Sequence, residues 1–124
     1  MIHHVSVGTN DLERALRFYD AVLPVVGIQQ MQVADGIGYG SGDFLFSVEV
    51  PVDGRPATVG NGSHVAFGVA NRAMVHRFYD VALAHGGSSD GAPGLRPHYD
   101  AHYYAAFVRD PDGNKIEAVT YSAA

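Results

Sequence analysis

The chain alternates between two hydrophobic periods. Ile2 to Gly8 alternates with a period of two and reads as a strand, with His4, Ser6 and Gly8 on one face and His3, Val5 and Val7 on the other. Leu12, Ala15, Leu16, Tyr19 and Leu23 recur at helical spacing. Asn10 is the expected N-cap, with Glu13 completing a capping box, and Pro24 ends the helix. Gly27–Met31, Gly36–Ser41 and Asp43–Val50 read as three short strands broken by Gly and Asp. A polar connector then runs from Asp53 to Gly62. Beyond it, Ser63–Val69 is a strand with His64, Ala66 and Gly68 on one face. Asn71–His85 is an amphipathic helix stopped by Gly86-Gly87. Ser88–His102 reads as a long Gly-, Pro- and His-containing loop. Tyr103–Arg109 and Lys115–Thr120 are strands around the turn Asp110-Pro111-Asp112-Gly113.

The order repeats because the sequence does. Shifted by 60 residues, His4-Val5 falls on His64-Val65 and Gly8 on Gly68. At the same offset Arg17-Phe18-Tyr19-Asp20 falls on Arg77-Phe78-Tyr79-Asp80, Leu23 on Leu83 and Gly27 on Gly87. The expectation is an α+β fold. Two pseudo-symmetric βαβββ modules, about 1–60 and 61–124, form one domain over residues 1–124.

Composition narrows the chemistry. The net charge is −5 and there is no basic run, which argues against a nucleic-acid surface. No apolar run approaches the roughly 20 residues that span a bilayer. The N-terminus lacks the regions of a signal peptide, so a cytoplasmic location is expected. There are no cysteines, which removes disulfides, thiolate zinc sites and cysteine nucleophiles. Seven histidines remain in a short chain, and His is the commonest metal ligand.

Glu117 is the odd residue in its strand, since a carboxylate buried there needs a partner. Aligning Gly113–Glu117 on Gly42–Phe46 makes Glu117 the counterpart of Phe46, as His64 is of His4. Two-fold convergence would then place His4, His64 and Glu117 together. Two imidazoles and a carboxylate suit Fe, Mn, Ni, Co or Zn, with coordination positions left open. Face parity adds a lining: Ser6 beside His4, Phe44 and Phe46 on one strand, and Tyr103 and Phe107 on another. Arg96, His98, Tyr99 and His102 lie on the loop that would close over the mouth. Arg96 and Tyr103 are placed to bind an anionic or carbonyl-bearing substrate, with Ser6, Phe46 and Phe107 completing the substrate surface.

His4-Val5, Asp11-Leu12, Phe18-Tyr19, Gly62 to Phe67, and Phe107 to Glu117 resemble the vicinal-oxygen-chelate superfamily of glyoxalases, bleomycin- and fosfomycin-resistance proteins and extradiol dioxygenases. The resemblance covers nearly the whole chain. It implies paired modules curling into an open half-barrel of mixed sheet, with helices outside. It also implies a divalent metal on His4, His64 and Glu117, and a homodimer with sites at the interface. The function it implies is metal-dependent lyase, isomerase or oxygenase chemistry on a small oxygen-chelating substrate. Glyoxalase I carries a fourth ligand, a Glu that also moves the substrate proton. The matching position is read as Phe46, which speaks against lactoylglutathione lyase activity. Glu49 reaches that face only if a bulge intervenes. Two other readings compete: a metal-free drug-binding protein of the bleomycin-resistance type, and an interaction domain in which His4, His64 and Glu117 are an internal hydrogen-bond network.

Overall fold

A computed structural model describes residues 1–33 and 37–124. Gly36, placed above at the start of a strand, lies outside the described residues. The first module consists of β1 (Val5–Gly8), α1 (Leu12–Val22), β2 (Gln29–Met31), β3 (Ile37–Ser41) and β4 (Asp43–Glu49). The second consists of β5 (Val65–Gly68), α2 (Arg72–Ala84), β6 (Ser88–Leu95), β7 (Tyr104–Arg109) and β8 (Lys115–Thr120). Each module forms its own four-stranded mixed sheet, in the orders β1-β4-β3-β2 and β5-β8-β7-β6. The expected α+β architecture of two repeated βαβββ units is therefore present. Among the described residues no helix is long and apolar enough to cross a membrane.

Both helices present a stripe to a common core. Ala15, Phe18, Tyr19 and Val22 of α1 meet Val75, Phe78 and Ala82 of α2, all buried at i, i+3, i+4 or i+7 spacing. Phe46 and Phe67 link the sheets edge to face, 5.6 Å between ring centroids.

Local chemistry corrects three expectations. The cap of α1 is Asp11, which accepts from the Arg14 amide at 3.0 Å; Glu13 therefore sits too early for a capping box. Asn10 instead ties down the connector, accepting from Ala57 N at 2.6 Å and donating to its carbonyl at 3.1 Å. Pro24 does end α1, which stops at Val22 with Leu23 as its C-cap, and the chain passes into a 3-10 turn, Leu23–Val26, closed by Gly27 with φ of 91°. Most of the expected 88–102 loop is strand: β6 pairs with β7 from Ser88 to Leu95, with two register shifts that hid its periodicity.

The third correction concerns faces. In the second module Ala66 of β5 stands opposite Glu117 of β8. In the first, Ser6 of β1 stands opposite Ser47 of β4. The counterpart of Glu117 is thus Ser47, not Phe46. The cause is a bulge: Tyr39 pairs with Phe46 but Gly40 pairs with Phe44, which leaves Leu45 as an extra residue. One inserted residue exchanges the two faces of the rest of the strand. Gly40 permits it, since a Cβ there would lie 1.9 Å from the Asp43 carbonyl oxygen.

The turn before β8 locks the modules together. Asp110 is buried and accepts from the Tyr19 hydroxyl at 2.6 Å, from the Asp112 and Asn114 amides at 2.9 Å, and from Asn114 Nδ2 at 2.9 Å. Asn114 Nδ2 also donates to Gly8 O at 2.9 Å. Asp112 Oδ1 accepts from the Asn10 amide at 2.9 Å and from Arg14 Nη2 at 2.7 Å. The start of β8 is thereby pinned to the end of β1 and the first turn of α1.

Candidate functional site

Glu117 is 1% exposed, yet it has no Lys or Arg partner among the described residues. Its Oε1 faces His64 Nε2 at 3.0 Å, and its Oε2 accepts a short hydrogen bond from the Tyr103 hydroxyl. Strand geometry explains the pairing. Ala66 stands opposite Glu117, and His64 precedes Ala66 by two residues on the same face. Phe107 is the cross-strand partner of Glu117 on β7, and its ring lies 6.2 Å from that of His64. Burial, and then the bond to Glu117, push the Tyr103 phenol well above its ordinary range, so it stays a donor.

His64, Tyr103, Phe107 and Glu117 line a cavity of about 600 Å³, together with Asp90, Gly91, Arg96, His98, Tyr99 and Lys115. Arg96, Tyr103 and Phe107 are therefore in the same cavity as His64 and Glu117, as expected. Lys115, Asp90 and Gly91 were missed. Lys115 was legible, because it precedes Glu117 by two residues and shares its face. Asp90 and Gly91 were hidden by the loop reading of β6.

Phe46 is not part of this surface. It is fully buried against Tyr19, Tyr39 and Phe67 and lines neither this cavity nor the smaller one described next. Ser6 lies in that smaller cavity, about 240 Å³, on the seam where β1 meets Ser63, His64 and Val65. Its hydroxyl is 2.6 Å from that of Ser47, which donates to Glu49 Oε2 at 3.2 Å. The bulge at Leu45 thus brings Ser47, and with it Glu49, onto the face that Glu117 occupies in the second module.

His4 stands apart. Its Nδ1 is 2.8 Å from Nδ1 of His3, and its ring lies 4.4 Å from that of Phe44. No group of three or more His, Cys, Asp or Glu side chains among the described residues is close enough to hold a metal ion. His64 and Glu117 nonetheless suit a divalent cation. They are one imidazole and one buried carboxylate side by side, the carboxylate fixed by a tyrosine and without a Lys or Arg partner among the described residues. A single chain brings together two members of the expected triad and leaves the third exposed on the other sheet.

Comparison with known proteins supports the architecture. A sequence model of the Glyoxalase/Bleomycin resistance protein/Dioxygenase superfamily matches residues 1–118. The chain is 28% identical to a Synechocystis protein named "Probable lactoylglutathione lyase", covering 97% of this chain and 95% of that one. A crystal structure of a glyoxalase/bleomycin resistance protein from Albidiferax ferrireducens superposes with a TM-score of 0.86 at 38% identity, covering 97% of this chain and 98% of that one. The fosfomycin resistance protein FosX from Mesorhizobium loti shares the fold alone, with a TM-score of 0.67 at 18% identity over 99% of this chain and 93% of that one.

Proposed function

The chain belongs to the glyoxalase/bleomycin resistance protein/dioxygenase superfamily, and from that premise we propose that it is a metal-dependent enzyme whose site is completed by a second copy of itself. His64 and Glu117 of one chain and His4 of the partner subunit would hold a divalent cation, one of Fe, Mn, Ni, Co or Zn. The substrate is a small molecule offering two adjacent oxygens. The observation that carries the reading is the buried Glu117 carboxylate, turned toward His64 at 3.0 Å in a cavity of about 600 Å³. An isolated buried carboxylate is costly, and a cation offsets that cost. The exposed His4, beside Phe44 on the other sheet, supports a site shared between copies.

When bound, the cation supplies Lewis-acid polarisation of the substrate oxygens. The chain's own residues do the rest. Tyr103 holds Glu117 Oε2, so Oε1, beside His64 Nε2 at 3.0 Å, would be the oxygen offered to the cation. Phe107 and Tyr99 supply aromatic surface to the cavity wall. Ser47 places a hydroxyl where Glu117 would lie by symmetry, and that hydroxyl donates to Glu49 Oε2 at 3.2 Å.

The lyase activity named for the Synechocystis relative is not transferred. At the fourth-ligand position this chain has Ser47, whose short hydroxyl is not a carboxylate base. Glu49, two residues on, stands opposite Gly8 rather than Ser6 and accepts from the Ser47 hydroxyl at 3.2 Å.

A second reading rests on the distance of His4 from the His64–Glu117 pair: a metal-free pocket that binds a small molecule or drug. Elemental analysis of untagged protein, with a His64→Ala variant alongside, separates the two. Stoichiometric metal lost in the variant supports the enzyme. No metal in either, even after incubation with iron, manganese, nickel and zinc, supports the binding protein.

A further inference from the structure

One wall of the larger cavity carries a charge that the His64–Glu117 pair does not use. Where β6 carries its two register shifts, three backbone carbonyls face the Arg96 guanidinium. Nη2 donates to Ala92 O at 2.8 Å, and Nη1 to Gly94 O at 2.9 Å and Leu95 O at 3.4 Å. Gly91 makes room for this arrangement. Its φ is 152°, and a Cβ there would lie 3.0 Å from Phe107 Cδ2 and 3.1 Å from Arg96 Nη2. The guanidinium is thereby held by backbone over Phe107, 5.4 Å from the ring centroid.

All of these acceptors are neutral. Arg96 has no carboxylate partner among the described residues, and neither its Nε–H nor the second hydrogen of Nη2 has a protein acceptor there. Lys115 Nζ lies 5.0 Å from the centroid of the same Phe107 ring. Its counter-ion is Asp90 Oδ2 at 3.3 Å, which it shares with Arg109 Nε at 3.2 Å. Asp90 therefore pairs with two cations and Arg96 with no carboxylate among the described residues; the cavity's other carboxylate, Glu117, is held by His64 and Tyr103. A guanidinium with free N–H groups, fixed over an aromatic ring in a concave site, is matched by a planar oxyanion on an apolar body.

We infer that the cavity takes a substrate bearing a carboxylate, which Arg96 binds while the substrate's apolar body lies on Phe107 and Lys115 adds charge. This rests on reading the cavity as the substrate site, but it requires no metal. The test therefore uses protein without added metal. At low ionic strength it is titrated with benzoate, benzamide and phenylphosphonate while the arginine Nε–H resonances are followed by ¹⁵N NMR. The Arg96 resonance is assigned by its disappearance in Arg96→Gln.

Benzoate should shift that resonance saturably and bind about tenfold or more tightly than benzamide. Arg96→Gln should abolish the difference, with Arg96→Lys retaining part of it. The amide spectrum of each variant reports its folding. The titration involves no metal, so failure of the metal reading leaves this result standing. Equal weak binding of benzoate and benzamide, or a shift that spares Arg96, overturns the proposal. Tighter binding of phenylphosphonate than benzoate overturns the carboxylate assignment in favour of a phosphonate or phosphate.

Discussion

Ser47 occupies in β4 the place that Glu117 occupies in β8. Ser6 faces Ser47 across the β1–β4 ladder as Ala66 faces Glu117 across the β5–β8 ladder. The two halves thus present different chemistry from one backbone plan. One offers a buried carboxylate beside an imidazole; the other offers two hydroxyls 2.6 Å apart and a carboxylate behind them.

The wild-type protein should accordingly fail to isomerise the hemithioacetal of methylglyoxal and glutathione. Ser47→Glu should bind divalent metal more tightly by supplying a further carboxylate. Robust hemithioacetal turnover by the wild type, under any of the candidate metals, would show that the hydroxyl position does not limit this chemistry.

Tyr103 should tune metal binding without being a ligand. Its hydroxyl fixes the Oε2 atom of Glu117. Tyr103→Phe should weaken metal affinity by roughly 10- to 100-fold, the range for a lost outer-shell hydrogen bond. Competition with a chromophoric chelator measures this. Unchanged affinity would mean that Glu117 is oriented by packing alone.

Phe46 belongs to stability. It is fully buried among Tyr19, Tyr39 and Phe67. Phe46→Ala should cost about 3–5 kcal/mol, as for a large aromatic removed from a core. Denaturant titration measures the loss, and metal affinity of the folded fraction should not change. A small loss accompanied by altered ligand binding would return Phe46 to the pocket.

The Tyr19–Asp110 bond should appear in the alkaline limb of stability. Burial, and then Asp110, raise the Tyr19 phenol well above its ordinary value. The unfolded phenol loses its proton near pH 10, while the folded one keeps it. Above that pH the native state binds more protons than the unfolded state, so stability falls as pH rises. Below it the contribution is fully present. Tyr19→Phe should therefore lower stability by about 1–3 kcal/mol at neutral pH and flatten the decline above pH 10. Urea melts at pH 8 and pH 10.5 test both. A parallel decline in the variant would assign the alkaline limb to other groups.

The sequence made some of this legible and hid the rest for physical reasons. Identity at an offset of 60 exposed the two modules, because helix stripes and strand starts must match for both halves to share a core. β8 was found from Lys115 to Thr120, because Gly113 and regular alternation mark it, and Glu117 is buried as a mid-strand carboxylate with a partner can be. Ser47 was not found, because Leu45 bulges and residue parity cannot register a bulge. β6 reads as loop in the sequence because its bulged backbone is built from Asp90-Gly91-Ala92-Pro93-Gly94, residues that also compose loops. Asn10 and Asp11 are both good caps, and only the demand of Ala57 for an Asn10 partner separates them. The distance from His4 to its expected co-ligands depends on how modules assemble, which pattern along one chain does not encode.

The shared site is tested most directly by mixing subunits. His4→Ala and Glu117→Gln should each abolish stoichiometric metal binding. After unfolding and refolding together in equal amounts, half the dimers are mixed. Each mixed dimer carries one site with the His4 of one chain and the His64 and Glu117 of the other. Metal bound per chain should recover to about a quarter of the wild-type level, as two-fold symmetry requires. A mixture that binds no more metal than either variant alone would contradict a site built from His64 and Glu117 of one chain and His4 of its partner.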